Sequence, residues 1–349
     1  MKALILRGAG QLELGERPDP VCGPFEAIVK VKAVSACNTD LQIIDNLIFP
    51  PAVGRAVGHE GVGEIVEVGS EVKHFKVGDR IVMPSLCPEF RSMEAQQGWA
   101  AFSNGGMCFD WCLERDGVAA EYARVRDVDM VCGKIPDSMD YATAVMMCDV
   151  VATAFNGVEH ARTPLGGTAV VFGIGPIGVS CIAAAKARGA GKIYAIGTNE
   201  YGRNLALKFG ADEVISYRDG DVVEQILEKE GGRRVAECII AGGKGATVPQ
   251  AYRLCQPGIG EITSVNAFYD DIVISPSDWN SGMETIRFTG YQATGGREML
   301  ERYMSFIEHS PSYDPSLIPS HVNHGFEEME KTFRQKAEKD VYKPVCLLD

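Results

Sequence analysis

The chain has no excess of basic residues, no internal repeat, no low-complexity tract and no long uninterrupted apolar run. Among its 349 residues Lys plus Arg number 34 and Asp plus Glu 47, so the formal charge is 34 − 47 = −13. A surface that neutralises nucleic-acid phosphates or docks on anionic lipid needs the opposite balance, so both partner classes are excluded in general terms. The longest charge-free stretch, Leu165–Ala185, is broken by Gly166, Gly167, Gly173, Gly175, Pro176 and Gly178. This suits a strand–turn–helix unit, not a membrane span. The start, Met1–Arg7, has too short an apolar core for a signal peptide and no small-residue cleavage site. The 39 glycines follow no collagen-like period. Eleven cysteines, an odd number scattered from Cys22 to Cys346, read as reduced thiols of a cytoplasmic protein.

Hydrophobic residues make up 46% and charged residues 23%, which is globular composition, and the length suits about two domains. The first third is β-rich: Ala27–Val34 approaches period-two alternation, Gly63–Gly69 continues it, and Gly78-Asp79 turns into Arg80–Met83. Residues 86–117 read as an irregular surface excursion. From about residue 153 short apolar runs (168–172, 192–196, 213–216, 236–240, 261–265) alternate with helical stretches (179–188, 203–209, 222–229). That alternation predicts an α/β fold with a doubly wound parallel sheet. One more helix is expected at 297–308.

Gly173-Ile174-Gly175-Pro176-Ile177-Gly178 lies between a predicted strand and a predicted helix. In that setting the first glycine makes the turn and the second lets backbone approach a pyrophosphate. The third packs helix on strand, with phosphates at the helix N-terminus. An NAD site usually has an acidic residue at the end of the second strand. Here Gly197, Thr198 and Asn199 stand there, and Glu200 follows one place late. The pattern leans to NADP, with Arg203 and Arg218 near in sequence.

Cys37-Asn38-Thr39-Asp40 and Gly58-His59-Glu60 bring a thiol and an imidazole suited to zinc, and Asp149 could supply a third ligand. Spacing alone leaves Cys37 open as a core cysteine, His59 as a turn histidine and Asp149 as a helix N-cap. Gly58-His59-Glu60-Gly61-Val62-Gly63 through Gly69 and Val72 fits the pattern G-H-E-x2-G-x5-G-x2-V at every fixed position. With Pro24–Val29, the glycine fingerprint and Lys343-Pro344-Val345, the chain resembles the zinc-dependent medium-chain dehydrogenase/reductase superfamily. Within it, the chain is most similar to bacterial NADP-dependent secondary-alcohol dehydrogenases.

The resemblance implies a GroES-like catalytic domain, residues 1–152 and 295–349, around a Rossmann domain, 153–294, with the active site in the cleft between them. It implies a single catalytic zinc on Cys37, His59 and Asp149, with Glu60 as an exchangeable ligand and Asp40 fixing the His59 tautomer. It further implies hydride transfer between secondary alcohols and ketones (aldehydes in addition) and NADP(H), with Thr39 taking the alcohol proton. The implied cofactor site takes in Gly173, Gly175, Pro176, Ile177, Gly178, Gly197, Thr198, Asn199, Tyr217, Val265, Asn266 and Lys343, the last on the phosphates. Trp111, with Ser85 and Gln292, would line the substrate pocket, and the assembly would be a homotetramer.

The sequence also departs from its relatives. Cys87, Cys108 and Cys112 are too few for the four-cysteine structural zinc of liver-type enzymes. Gln42 replaces a relay histidine, and Ser85, Ala267 and Gln292 suggest a roomier, more polar pocket. Glu200 and that pocket leave an NAD-dependent polyol or amino-alcohol dehydrogenase open as a second reading. A non-catalytic NADPH-binding protein is a third, opposed by the retained Cys37, His59, Asp149 and Thr39.

Overall fold

The computed structural model describes residues 1–45, 53–105, 109–161, 163–293 and 295–348. The chain divides into two units, one of residues 1–152, 293–310 and 315–349, the other of residues 153–292 and 311–314.

In the first unit β1 (Lys2–Gly8) and β2 (Gln11–Glu16) form a hairpin around Gly10. The strands β3 (Ala27–Ser35), β4 (Glu60–Val68), β5 (Arg80–Met83), β6 (Tyr122–Val125) and β7 (Gly133–Lys134) build a larger sheet. The central strand β3 buries Val29, Val31 and Ala33, as its alternation predicts, and Val34 in addition. The excursion at 86–117 is less irregular than expected, with short helical turns at Met93–Gln96 and Ala100–Gly105. Cys108 lies outside the described residues.

The second unit carries β8 (Thr168–Phe172), β9 (Lys192–Ile196), β10 (Glu213–Ile215), β11 (Glu237–Ile240), β12 (Glu261–Ser264) and β13 (Arg287–Gly290). All five pairings are parallel, in the order β10-β9-β8-β11-β12-β13. Renumbered within the sheet this is 3-2-1-4-5-6, the doubly wound order. Helices run over Pro176–Ala187, Glu200–Lys208, Val222–Lys229 and Thr247–Leu254. The first begins three residues before the predicted Val179, because Pro176 is preorganised for the opening helical position. One face of the sheet packs Val170, Phe172, Tyr194, Ile196, Ile240 and Ile262 against Val223, Ile226, Val248 and Leu254.

The chain then closes the first unit with helix Arg297–His309 and the strands β14 (His321–His324) and β15 (Pro344–Leu347), in the sheet order β14-β15-β3-β4-β5-β7, with β6 on β3. The register sets up one end of this sheet. Ser35 pairs with Glu60 and Val345 pairs with Ser35. Residues just past β3, just before β4 and just before β15 therefore converge there. The 20-residue stretch Tyr141–His160 has the length and apolarity to cross a membrane, yet 83% of its most apolar window is buried in the fold.

Candidate metal centre and dinucleotide fingerprint

Helix Asn38–Ile44 opens on Cys37 as its N-cap, in extended conformation, with Sγ accepting from the Thr39 amide at 3.2 Å. Asp40 reaches back to the Cys37 amide through Oδ2 at 2.9 Å, closing a capping box. Its other oxygen, Oδ1, lies 2.9 Å from His59 Nδ1, with both side chains buried. The Asp40 carboxylate thus holds a proton on Nδ1 and leaves Nε2 facing Cys37 Sγ at 3.2 Å. Burial works against a charged imidazole, but the Asp40 and Cys37 charges outweigh it and raise His59 well above the ordinary histidine range.

Glu60, wholly buried, opens β4 immediately after His59. Asp149, half-buried, follows Cys148, whose thiol donates to the Gly61 carbonyl at 3.1 Å and whose own carbonyl accepts from the Ser85 amide at 3.0 Å. These contacts moor the Asp149 segment to β4. One ligand atom each from Cys37, His59, Glu60 and Asp149 lies within 4.8 Å of the others. Tetrahedral zinc ligands stand roughly 3.5 Å apart, given bond lengths of about 2.0–2.3 Å. A thiolate, an imidazole and two carboxylates at this spacing fit a divalent, borderline-soft ion.

The remaining expected residues fall into place unevenly. Thr39 is half-buried, and its hydroxyl makes no hydrogen bond among the described residues; Gln42 lies one turn further along the same helix. Trp111 is entirely enclosed. Its indole N–H donates to the Pro84 carbonyl at 2.9 Å, and the Arg115 guanidinium stacks 3.5 Å from its ring. Ser85, the residue after Pro84, is buried and its amide donates to the Cys148 carbonyl. Gln292 belongs to the other unit, where its carbonyl accepts from Asn156 Nδ2 at 2.9 Å.

Lys343 pairs with a member of the metal-ligand cluster. The resemblance places it on cofactor phosphates, but here the ammonium is 1% exposed and donates to Glu60 Oε1 at 2.7 Å and to the Ala36 carbonyl at 3.3 Å. Burial disfavours its charge, yet Glu60, Cys37 and Asp149 raise its pKa nonetheless. An ammonium so enclosed needs a counter-ion, and Glu60 is that counter-ion. Sequence reasoning missed this pair, the Cys148–Gly61 bond and Phe109, whose ring meets His59 edge-on at 5.0 Å between centroids. None of the three leaves a local signal.

In the second unit, the fingerprint glycines have distinct roles. Gly173 has φ +99° and backs onto the Gly242 backbone, 3.0 Å from where its Cβ would be. A Cβ on Gly178 would strike the Gly173 carbonyl oxygen at 2.0 Å. At Gly175, the N-cap of helix Pro176–Ala187, nothing lies within 4 Å of that position. Pro176 and Ile177 begin the helix there, so its unpaired amides face open space of the kind a pyrophosphate fills.

Past β9, Thr198 Oγ1 and the Tyr217 hydroxyl meet at 2.8 Å. Asn199 Oδ1 caps helix Glu200–Lys208 through the Gly202 amide at 2.9 Å, leaving its NH2 group to donate. Gly197 is a glycine for a steric reason that sequence reasoning did not find, since its Cβ would stand 2.2 Å from Ile174 Cγ1. After β12, the Val265 amide donates to the Ile240 carbonyl at 2.9 Å, and the Asn266 side chain donates to the Gly243 carbonyl at 3.4 Å.

Residues 23–137 match the family described as "Alcohol dehydrogenase GroES-like domain", and residues 176–309 match "Zinc-binding dehydrogenase". The chain belongs to the zinc-dependent alcohol dehydrogenases. This dehydrogenase is 38% identical, over the full length of both chains, to the "NADP-dependent isopropanol dehydrogenase" of Thermoanaerobacter brockii. It is 36% identical to the protein of the same name from Clostridium beijerinckii, again over 100% of each. The solved alcohol dehydrogenase TADH from Thermus sp. ATN1 shares the fold, with a TM-score of 0.85 at 22% identity over 100% of both chains. The GroES-like plus Rossmann expectation therefore holds, as does membership of the zinc enzymes.

Proposed function

We propose that this alcohol dehydrogenase interconverts secondary alcohols and ketones by hydride exchange with NADP(H). The reading assigns one zinc to Cys37, His59 and Asp149, with Glu60 as an exchangeable fourth group. The observation that carries it is the convergence of four ligand atoms within 4.8 Å, with Asp40 aiming the imidazole. When bound, zinc supplies a Lewis acid that lowers the pKa of an alcohol and polarises a carbonyl, and the nicotinamide supplies the hydride exchange.

The protein's residues do the placing and the proton handling. Asp40 keeps His59 in the tautomer whose Nε2 can ligate. Lys343 compensates the charge of Glu60, so an otherwise isolated buried carboxylate is tolerated. The Thr39 hydroxyl, two residues past Cys37, is the group to take the alcohol proton. The amide of Gln42 does not titrate near neutral pH, so water or another group must carry that proton onward. Ser85, Trp111 and Gln292 are retained as substrate-pocket residues, and Val265 and Asn266 as cofactor contacts, on family resemblance.

For the cofactor, the backbone N–H groups of Gly175, Ile177 and Gly178 hold the phosphates, while Pro176, which has none, opens the helix. The Thr198–Tyr217 hydroxyl pair and the Asn199 amide group take the ribose end, where Gly197 stands in place of the acidic side chain that would repel a 2′-phosphate. NADPH is therefore favoured over NADH. Self-association into a homotetramer rests on family resemblance, and β13 is an edge strand whose Phe288 is 38% exposed. The ten described cysteines are all free thiols, which suits the cytoplasm. A panel of secondary alcohols, ketones, aldehydes and polyols, assayed with NADPH and NADH alongside zinc analysis, tests the proposal. Turnover of polyols with NAD and no ketone reduction with NADPH would refute it.

A further inference from the structure

The parallel sheet of the second unit buries two acids that the proposed chemistry does not use. Glu237 opens β11 and Glu261 opens β12, and the two are register partners, so their side chains leave the same face of the sheet side by side. They are 0% and 3% exposed. Both carboxylate oxygens of Glu237 and Oε2 of Glu261 lack a hydrogen-bond partner. The same face presents Thr263, two residues along β12, and Ala169 of β8 beside Glu237.

Charged and titratable neighbours do little to neutralise the pair. Arg188, at the exposed end of helix Pro176–Ala187, attracts Glu237 only from a distance, and Cys181 of that helix is a buried thiol held neutral. Arg287, in register with Glu261 on β13, is exposed and forms no ion pair with either acid among the described residues. Two ionised carboxylates, adjacent and out of water, repel one another and are both penalised by desolvation. Dissociation of one proton must therefore be deferred.

We infer that Glu237 and Glu261 retain one proton between them at neutral pH, and that the pair weakens the sheet unit progressively as pH rises until that proton is lost in mild alkali. Burial first, and the Glu261 charge second, push the Glu237 carboxyl up to about 8. The transition belongs to the pair, not to either residue alone. Both acids sit at the N-terminal ends of their strands, opposite the end where β8 leads into the glycine fingerprint, so the device acts on stability and not on hydride transfer.

The test uses the full-length, metal-loaded protein. Its melting temperature should decline as pH rises from about 5 to about 8 and level off above that. Glu237→Gln should abolish that fall and melt above wild type at pH 9, and Glu261→Gln should end the fall at lower pH. An infrared difference spectrum of the wild type between pH 6.5 and 9 should show a protonated-carboxyl stretch disappearing. This measurement decides the matter even if a variant does not fold. A wild-type spectrum without that band, or a Glu237→Gln profile identical to wild type, overturns the inference. So does a fall that potassium removes but tetramethylammonium at equal ionic strength does not, since a bound cation would then hold the pair.

Discussion

Lys343→Met separates the two roles available to this lysine. Its Nζ stands 2.6–2.7 Å from both oxygens of Glu60, and the side chains are 2% and 0% exposed, so water screens neither partner. Methionine keeps the apolar stem but removes the charge, leaving Glu60 buried without its counter-ion. Breaking a buried pair from one side costs about 3–5 kcal/mol, because the surviving charge keeps its desolvation penalty. Urea unfolding of the metal-loaded protein should therefore show a large loss for Lys343→Met. Glu60→Gln should show a smaller one, and the double variant should recover much of the loss, giving a coupling energy of at least about 1.5 kcal/mol. NADPH KM should change far less than stability. If Lys343→Met unfolds like wild type while its NADPH KM rises tenfold or more, the ammonium serves the cofactor phosphates after all, and the reading of the Glu60 pair is wrong.

Cys37→Ala and His59→Ala should each lose zinc and turnover together, against one zinc per chain in wild type by elemental analysis; two per chain would require a structural site that Cys87 and Cys112 do not suggest. Thr39→Ala should lower kcat by about 10²-fold or more, with Thr39→Ser restoring most of it, and a near-silent alanine variant would remove Thr39 from the proton path. Asn199→Arg should raise the kcat/KM ratio of NADPH over NADH by adding a charge-assisted contact worth about 1.5–3 kcal/mol. Gly197→Asp should instead weaken both cofactors, since its Cβ meets Ile174 at 2.2 Å; a clean switch to NADH would show that Ile174 yields. For Glu237, a proton affinity raised from the ordinary 4.5 to about 8 means that the folded state holds a proton the unfolded chain has released. Stability is thus fully present below about pH 4.5 and is lost as pH rises through about 8. The loss is about 5 kcal/mol at most, at about 1.4 kcal/mol per tenfold change in affinity, and calorimetry against pH reads it directly.

The elements legible in the sequence are those whose signal is local. The periods of Ala27–Val34, Thr168–Phe172 and Lys192–Ile196 reflect which side chains each strand must bury, and the G-x-G-x-x-G spacing reflects a turn made within six residues. The Cys37–Asp40 capping box is local, but His59 stands 19 residues from Asp40, so the sequence makes these residues legible as a set only through the G-H-E motif and the family resemblance it carries. Helix Thr247–Leu254 was missed because Pro249 interrupts its opening turn, and β13 because an edge strand with exposed Arg287 and Phe288 carries no clean alternation. Gly197 looked like a matter of charge, and only packing revealed Ile174 against it. The tertiary structure alone decided which distant groups meet. Lys343 reaches Glu60 across 283 residues because β15, β3 and β4 lie side by side in one register. Glu237 faces Glu261 because parallel strands bring their first residues level. A charge buried by such long-range pairing has no local pattern to announce it, since its counterpart is chosen by the sheet and not by its neighbours in the chain.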